Sequence, residues 1–86
     1  MDMVTVEVYS GAFCPYCIRA KALLKKKGLN FVEYNVQSEP SKRDEMLQRS
    51  GGARTVPQIF INDRHVGGCD ELYALERRNE LDAWLK

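Results

Sequence analysis

Cys14-Pro15-Tyr16-Cys17 is the stretch of this 86-residue chain whose residue types and spacing can do chemistry. Two thiols separated by two residues either share a metal ion or cycle between dithiol and disulfide. A third cysteine, Cys69, and the single histidine, His65, extend the first possibility to a Cys₃His zinc set, although their x₃ spacing spans a Gly-Gly turn. Structural zinc usually serves chains without a core of their own. Alternating strands and apolar helix faces give this one a core, so redox chemistry is the stronger reading. Taken alone, Cys69 reads equally well as a small buried hydrophobe.

The elements around the pair decide how it works. Val4, Val6 and Val8 alternate with Thr5 and Glu7, which predicts a strand with one buried face, ended by Ser10-Gly11. Pro15 then opens a run in which Cys17, Ala20, Leu23 and Leu24 recur at helical spacing, stopped by Gly28 after Lys25-Lys26-Lys27. That lysine run reads as a solvated helix end with cations at the negative pole of the dipole. Phe31 to Val36 reads as a second strand, and Ser38-Glu39-Pro40-Ser41 supplies caps for a polar helix through Arg49, closed by Ser50-Gly51-Gly52. Gln58–Ile61, a turn at Asn62-Asp63-Arg64 and a return at His65-Val66 form a hairpin broken by Gly67-Gly68. Leu72, Leu75, Leu81, Trp84 and Leu85 give a helical tail that Arg78-Asn79 interrupts or bends. The order βαβ, helix, ββ, helix is that of an α/β sandwich whose first two strands run parallel.

This order sets Cys14 just outside the first helix and Cys17 in its first turn. Unpaired N–H groups and the positive end of the dipole there favour a thiolate at Cys14, while Cys17 lies deeper. A thiol whose pKa falls from ~8.5 to ~5 gains thiolate roughly 30-fold at pH 7 but loses roughly 40-fold in intrinsic nucleophilicity. The benefit is therefore to leaving-group ability, which suits a sulfur that passes disulfides on rather than storing one. Further along, Gly67-Gly68 permits close backbone approach, and the N–H groups of Cys69 and Asp70 open a helix and can hold a carboxylate. Pro57 offers no N–H and suits the start of an edge strand.

Composition excludes other functions. Thirteen basic against twelve acidic residues leave a net charge of +1, too weak a field for a nucleic acid or an anionic membrane. Residues 1–54 carry +3 and residues 55–86 carry −2, a mild asymmetry that identifies no partner. Hydrophobic residues at 44% and charged residues at 29% fit a soluble globular chain, and no run approaches a membrane span. Met1-Asp2-Met3-Val4-Thr5 lacks the basic and apolar regions of a signal peptide, so the expected compartment is the cytoplasm.

Three motifs in order, Cys14-Pro15-Tyr16-Cys17, Thr55-Val56-Pro57 and Gly67-Gly68-Cys69-Asp70-Glu71-Leu72, make the chain resemble a glutaredoxin of the short dithiol class over essentially its whole length. The resemblance implies a thioredoxin-like α/β fold: one domain over residues 1–86, with a four-stranded mixed sheet flanked by helices in the order βαβαββα. It implies a glutathione-dependent thiol–disulfide oxidoreductase that reduces protein disulfides and glutathione mixed disulfides. Cys14 would attack, Cys17 would resolve, and glutathione would restore the pair, with no bound metal or organic cofactor. Partners would be glutathione and, transiently, disulfide-containing or glutathionylated proteins; the molecule would be a monomer, without nucleic acid or membrane partners.

The same resemblance implies a cis bond at Pro57, leaving the Val56 backbone beside Thr55 to pair with the cysteinyl part of glutathione. It directs the γ-glutamyl carboxylate to the backbone at Gly68, Cys69 and Asp70, with the Asp70 side chain on the ammonium. Tyr16 would pack along the tripeptide. Many family members carry a lysine three residues before the first cysteine; Gly11 stands there in this chain. Arg54 is the basic residue expected to take over the glycyl carboxylate. Two rival readings are a thioredoxin-type reductant, disfavoured by Pro15-Tyr16 and by Phe13 where thioredoxins carry tryptophan, and a zinc or iron–sulfur carrier.

Overall fold

The computed structural model describes residues 4–85, so Met1-Asp2-Met3, on which the compartment reading partly rests, and Lys86 lie outside the described residues. The valine alternation becomes β1 (Val6–Ser10), two residues later than the pattern alone suggests. The shift follows from pairing: Val6 to Tyr9 lie opposite Ile61 to Gln58 of β3 (Gln58–Ile61), and Thr5 is bonded to the hairpin turn instead, its N–H donating to Asn62 Oδ1 at 2.9 Å. Helix α1 (Pro15–Lys26) starts with proline at its first position and ends on Gly28 at φ +75°. There the N–H of Leu29 returns to the carbonyl of Leu24 at 3.0 Å, a glycine-dependent helix stop. The second strand, β2 (Val32–Asn35), is parallel to β1.

Asn35 turns the chain toward α2 (Pro40–Arg49): its Oδ1 accepts the N–H groups of Gln37 and Ser38 at 2.9 and 3.2 Å. These bonds precede the helix and do not cap it: the residue at the cap position of α2, Glu39, makes no side-chain bond to the first turn, so the cap the Ser38–Ser41 segment predicts does not form. Asn62 and Asp63, both left-handed at φ 50° and 65°, join β3 to β4 (Arg64–Gly67), and residues of this type adopt that conformation readily. Helix α3 (Cys69–Arg77) and a final turn α4 (Leu81–Trp84) are separated by Asn79 at φ 57°, the interruption expected at Arg78-Asn79. No described helix is long and apolar enough to cross a membrane.

The sheet runs β2-β1-β3-β4, parallel between β1 and β2 and antiparallel elsewhere, the mixed four-stranded arrangement expected. Period two sends Val6, Val8, Ile59 and Ile61 to one face, where Ala20, Leu23 and Leu24 of α1 and Leu72 and Leu75 of α3 cover them. Tyr9 and Phe60 point the other way and pack with Val36 and Met46 of α2. β1 is thus covered on both faces, not one. Under α2 the second face is partly polar: Arg49 grips Glu7 through two bonds of 2.9 and 3.1 Å, donates to the Tyr9 hydroxyl at 2.8 Å, and lies 4.1 Å from the Phe60 ring centre. That bidentate pair holds the Glu7 carboxyl below its ordinary value and fastens α2 to the sheet. Lys27, read as part of a solvated run, bridges Glu76 and Asp82 at 3.1 and 3.0 Å, tying the end of α1 to the tail.

Candidate active site

Cys14 is the N-cap of α1, in extended conformation at φ −108° and ψ 105°, and its carbonyl accepts the first helical bond from Ile18 at 3.1 Å. Its sulfur takes the place of the hydroxyl or carboxylate oxygen that usually caps a helix: Sγ accepts the Cys17 N–H at 3.1 Å. A negative sulfur here faces a backbone donor and the positive end of the dipole. Across the gap lies the Val56 carbonyl, 3.8 Å from Sγ and within reach of the thiol proton.

Cys17, one turn deeper, is 1% exposed. Burial, reinforced by the Cys14 side chain, raises its pKa and keeps it a thiol. All three cysteines are free, and Cys69 is also buried, which likewise raises its thiol.

Beside the pair opens a cleft of about 290 Å³. Tyr16 of α1, its side chain largely exposed, forms one wall. Thr55, Val56 and Pro57 form the second, with the Val56–Pro57 bond cis, as the resemblance implied. Gly68, Cys69, Asp70 and Glu71 at the start of α3 form the third. In that first turn the N–H groups of Cys69 and Asp70 precede any intrahelical acceptor. The cleft therefore brings together every residue expected to contact glutathione except Arg54, which is exposed immediately before Thr55 and does not line it. Gly11 stands next to the Thr55–Pro57 wall, where an added Cβ would lie 3.4 Å from Val56 Cγ2.

Glu71 was not singled out. It accepts the Gly68 N–H at 2.6 Å, and the Gly-x-x-Glu spacing is the signal that could have found it. Gly68 has no side chain to return the bond, so only this half of a capping box forms. Glycine is required just before it: Gly67 has φ +120°, and a Cβ there would lie 2.8 Å from Glu71 Cγ and Oε1. The Cys₃His alternative is not assembled. The His65 ring stacks on Phe60 and bonds Gln58 at 2.6 Å, and among the described residues no three of His, Cys, Asp and Glu are grouped to hold a metal.

A capped sulfur, a buried partner thiol and an adjoining cleft form a thiol–disulfide exchange site. Residues 6–66 match the family model for glutaredoxin. Glutaredoxin 3 of Escherichia coli K12 is 55% identical over 84 residues, 98% of this chain and all of that protein. The solution structure of a Brucella melitensis glutaredoxin superposes with a TM-score of 0.83 at 55% identity, over 98% of this chain and 90% of that one. A crystal structure of a buckwheat glutaredoxin–glutathione complex superposes equally well, at 0.83, with 32% identity over 93% of this chain and 74% of that one. Sequence, fold and the paired cysteines agree: the chain belongs to the glutaredoxin family, glutathione-dependent thiol–disulfide oxidoreductases of the thioredoxin superfamily.

Proposed function

We propose that this protein reduces glutathionylated proteins and protein disulfides with glutathione as its reductant, Cys14 being the sulfur that attacks. The Cys14 thiolate attacks one sulfur of the substrate disulfide; a Cys14 mixed disulfide forms and the substrate thiolate leaves, taking a proton from solvent. When Cys14 carries glutathione, a second glutathione thiolate displaces it, yielding glutathione disulfide and free Cys14. When it carries a protein, Cys17 gives up its proton and attacks Cys14 Sγ, releasing the protein thiol and leaving a Cys14–Cys17 disulfide that two glutathione molecules reduce. The observation that carries this reading is the Cys17 N–H bonded to Cys14 Sγ at 3.1 Å beside an open cleft.

In the cleft, the cysteinyl unit of glutathione pairs with the Val56 backbone as an added strand, flanked by Thr55 and Pro57. The γ-glutamyl carboxylate takes the Cys69 and Asp70 N–H groups, Gly68 allows its approach, and the Asp70 carboxylate takes the ammonium. Tyr16 lies along the tripeptide, and Arg54, at the rim, takes the glycyl carboxylate. The buckwheat relative, crystallised as a complex with glutathione, supports this choice of ligand. No metal or organic cofactor takes part. A single domain carries out the cycle as a monomer, and free thiols suit the reducing cytoplasm.

Turnover of a glutathione–peptide mixed disulfide with glutathione as sole reductant tests the assignment. Cys14→Ser should abolish it and Cys17→Ser should retain it. Equal loss in both variants would refute the division of roles between the two sulfurs.

A further inference from the structure

Gln58, the first residue of β3, is a polar side chain in the core, 4% exposed. Its Nε2 donates to the Thr55 carbonyl at 3.0 Å and to Thr55 Oγ1 at 3.3 Å. A carbonyl can only accept, so the NH₂ of the amide faces Thr55 and its oxygen faces the other way. There Oε1 meets His65 Nε2 of β4 at 2.6 Å. An acceptor on Gln58 demands a donor on His65, so the imidazole carries its proton on Nε2. The charged ring would donate there too, and the bond persists in either protonation state. Stacking on Phe60, with ring centres 4.9 Å apart and planes at 27°, fixes the ring.

This chain of bonds ends on the segment that faces Cys14. Among the described residues no turn or loop backbone hydrogen bond holds residues 54–57, whereas residues 50–53 are held by several. The Thr55 carbonyl is gripped by Gln58, and the next carbonyl, that of Val56, lies 3.8 Å from Cys14 Sγ. We infer that Gln58 and His65 are positioning residues for thiol–disulfide exchange: the His65–Gln58–Thr55 relay sets the Val56 backbone at the distance from Cys14 that an extended glutathionyl group needs. This rests on the glutathione reading of the cleft. Neither side chain lines the cleft or touches the sulfurs, so the effect falls on substrate binding and alignment rather than on the sulfurs' own reactivity.

Steady-state kinetics on a glutathione–peptide mixed disulfide, with thermal midpoints alongside, test it. His65→Phe keeps a ring over Phe60 and removes the donor; His65→Gln offers an Nε2 donor at the same reach; Gln58→Met keeps the volume without the bonds. His65→Phe and Gln58→Met should each raise KM about tenfold while kcat changes by less than about twofold. The double variant should be no worse than Gln58→Met, because both break one relay, and His65→Gln should return to within about twofold of wild type. Unchanged KM in His65→Phe, no rescue in His65→Gln, or additive losses in the double variant would overturn the inference. Should Gln58→Met fail to fold, the two His65 variants, altered at an exposed position, decide alone. A wild-type protein without turnover would instead sink the glutathione reading.

Discussion

Replacing Gly67 by alanine, with Gly28→Ala as its control, separates two reasons a chain needs glycine. At Gly28, φ is +75° and a Cβ would meet nothing within 4 Å, so alanine suffers only the left-handed backbone, about 1 kcal/mol. At Gly67, φ is +120°, and the Cβ would lie 2.8 Å from Glu71 Cγ and Oε1 and 3.0 Å from its Cβ. The backbone term there is roughly 1–3 kcal/mol. Glu71 must also swing away from the Gly68 N–H, whose 2.6 Å bond to an exposed carboxylate contributes about 1 kcal/mol. Gly67→Ala should therefore cost about 3 kcal/mol, against about 1 for Gly28→Ala. Urea unfolding followed by far-ultraviolet circular dichroism measures both, and a common slope validates the comparison. Glu71→Ala added to Gly67→Ala should cost almost nothing more. Because Gly68 and Glu71 line the cleft, Gly67→Ala should also raise KM for a glutathione mixed disulfide, and Gly28→Ala should not. Equal destabilisation by the two alanines would refute the close-approach argument.

Two other perturbations follow from the geometry. The folded Glu7 carboxyl titrates below its ordinary value of 4.5 because Arg49 donates to it, so its contribution is complete above pH 4.5 and is lost as pH falls through the folded value. Glu33, bonded by Lys21, and Glu45, bonded by the Tyr9 hydroxyl, act with the same sign. Glu7→Gln should cost about 2 kcal/mol at pH 7 and flatten the acid limb of the stability curve, measured by urea midpoints between pH 3 and 7; an unchanged limb would contradict the pairing. Arg54→Ala should raise KM for a glutathione mixed disulfide about threefold to tenfold, an effect that raised salt diminishes. Arg54→Ala kinetics that match wild type would take the glycyl carboxylate away from Arg54.

Much of this arrangement is legible in the residues because short-range physics controls it. Proline at the first helical position fixes Cys14 as the cap, the Gln58–Ile61 run is a strand with turn residues behind it, and Asn79 stops a helix where its own conformational preference says it should. What escapes is set by partners distant in sequence. Helix α2 buries only Met46, so its pattern gives no face, and the residue that anchors it, Arg49, does so through Glu7, which strand alternation assigns to solvent. Lys27 looks like one of three equal lysines until the tail brings Glu76 and Asp82 to it. The His65–Gln58 bond of the relay escapes because a polar residue's partner on the next strand is invisible until the hairpin is assembled, whereas Glu71 bonds Gly68 only three residues away and its signal was the local Gly-x-x-Glu spacing. The cysteine pair and the cleft walls were legible because each belongs to a short contiguous motif.

The central claim is that Cys14 receives the glutathionyl group while the Val56 backbone and the start of α3 hold the tripeptide. Reacting the Cys17→Ser variant with glutathione disulfide and solving the structure of the trapped adduct tests it most directly. The expected adduct is a single glutathionyl group on Cys14, its cysteinyl backbone paired with Val56 and its γ-glutamyl carboxylate on the Cys69 and Asp70 N–H groups. An adduct on Cys69, or glutathione on Cys14 lying outside the cleft, would contradict it.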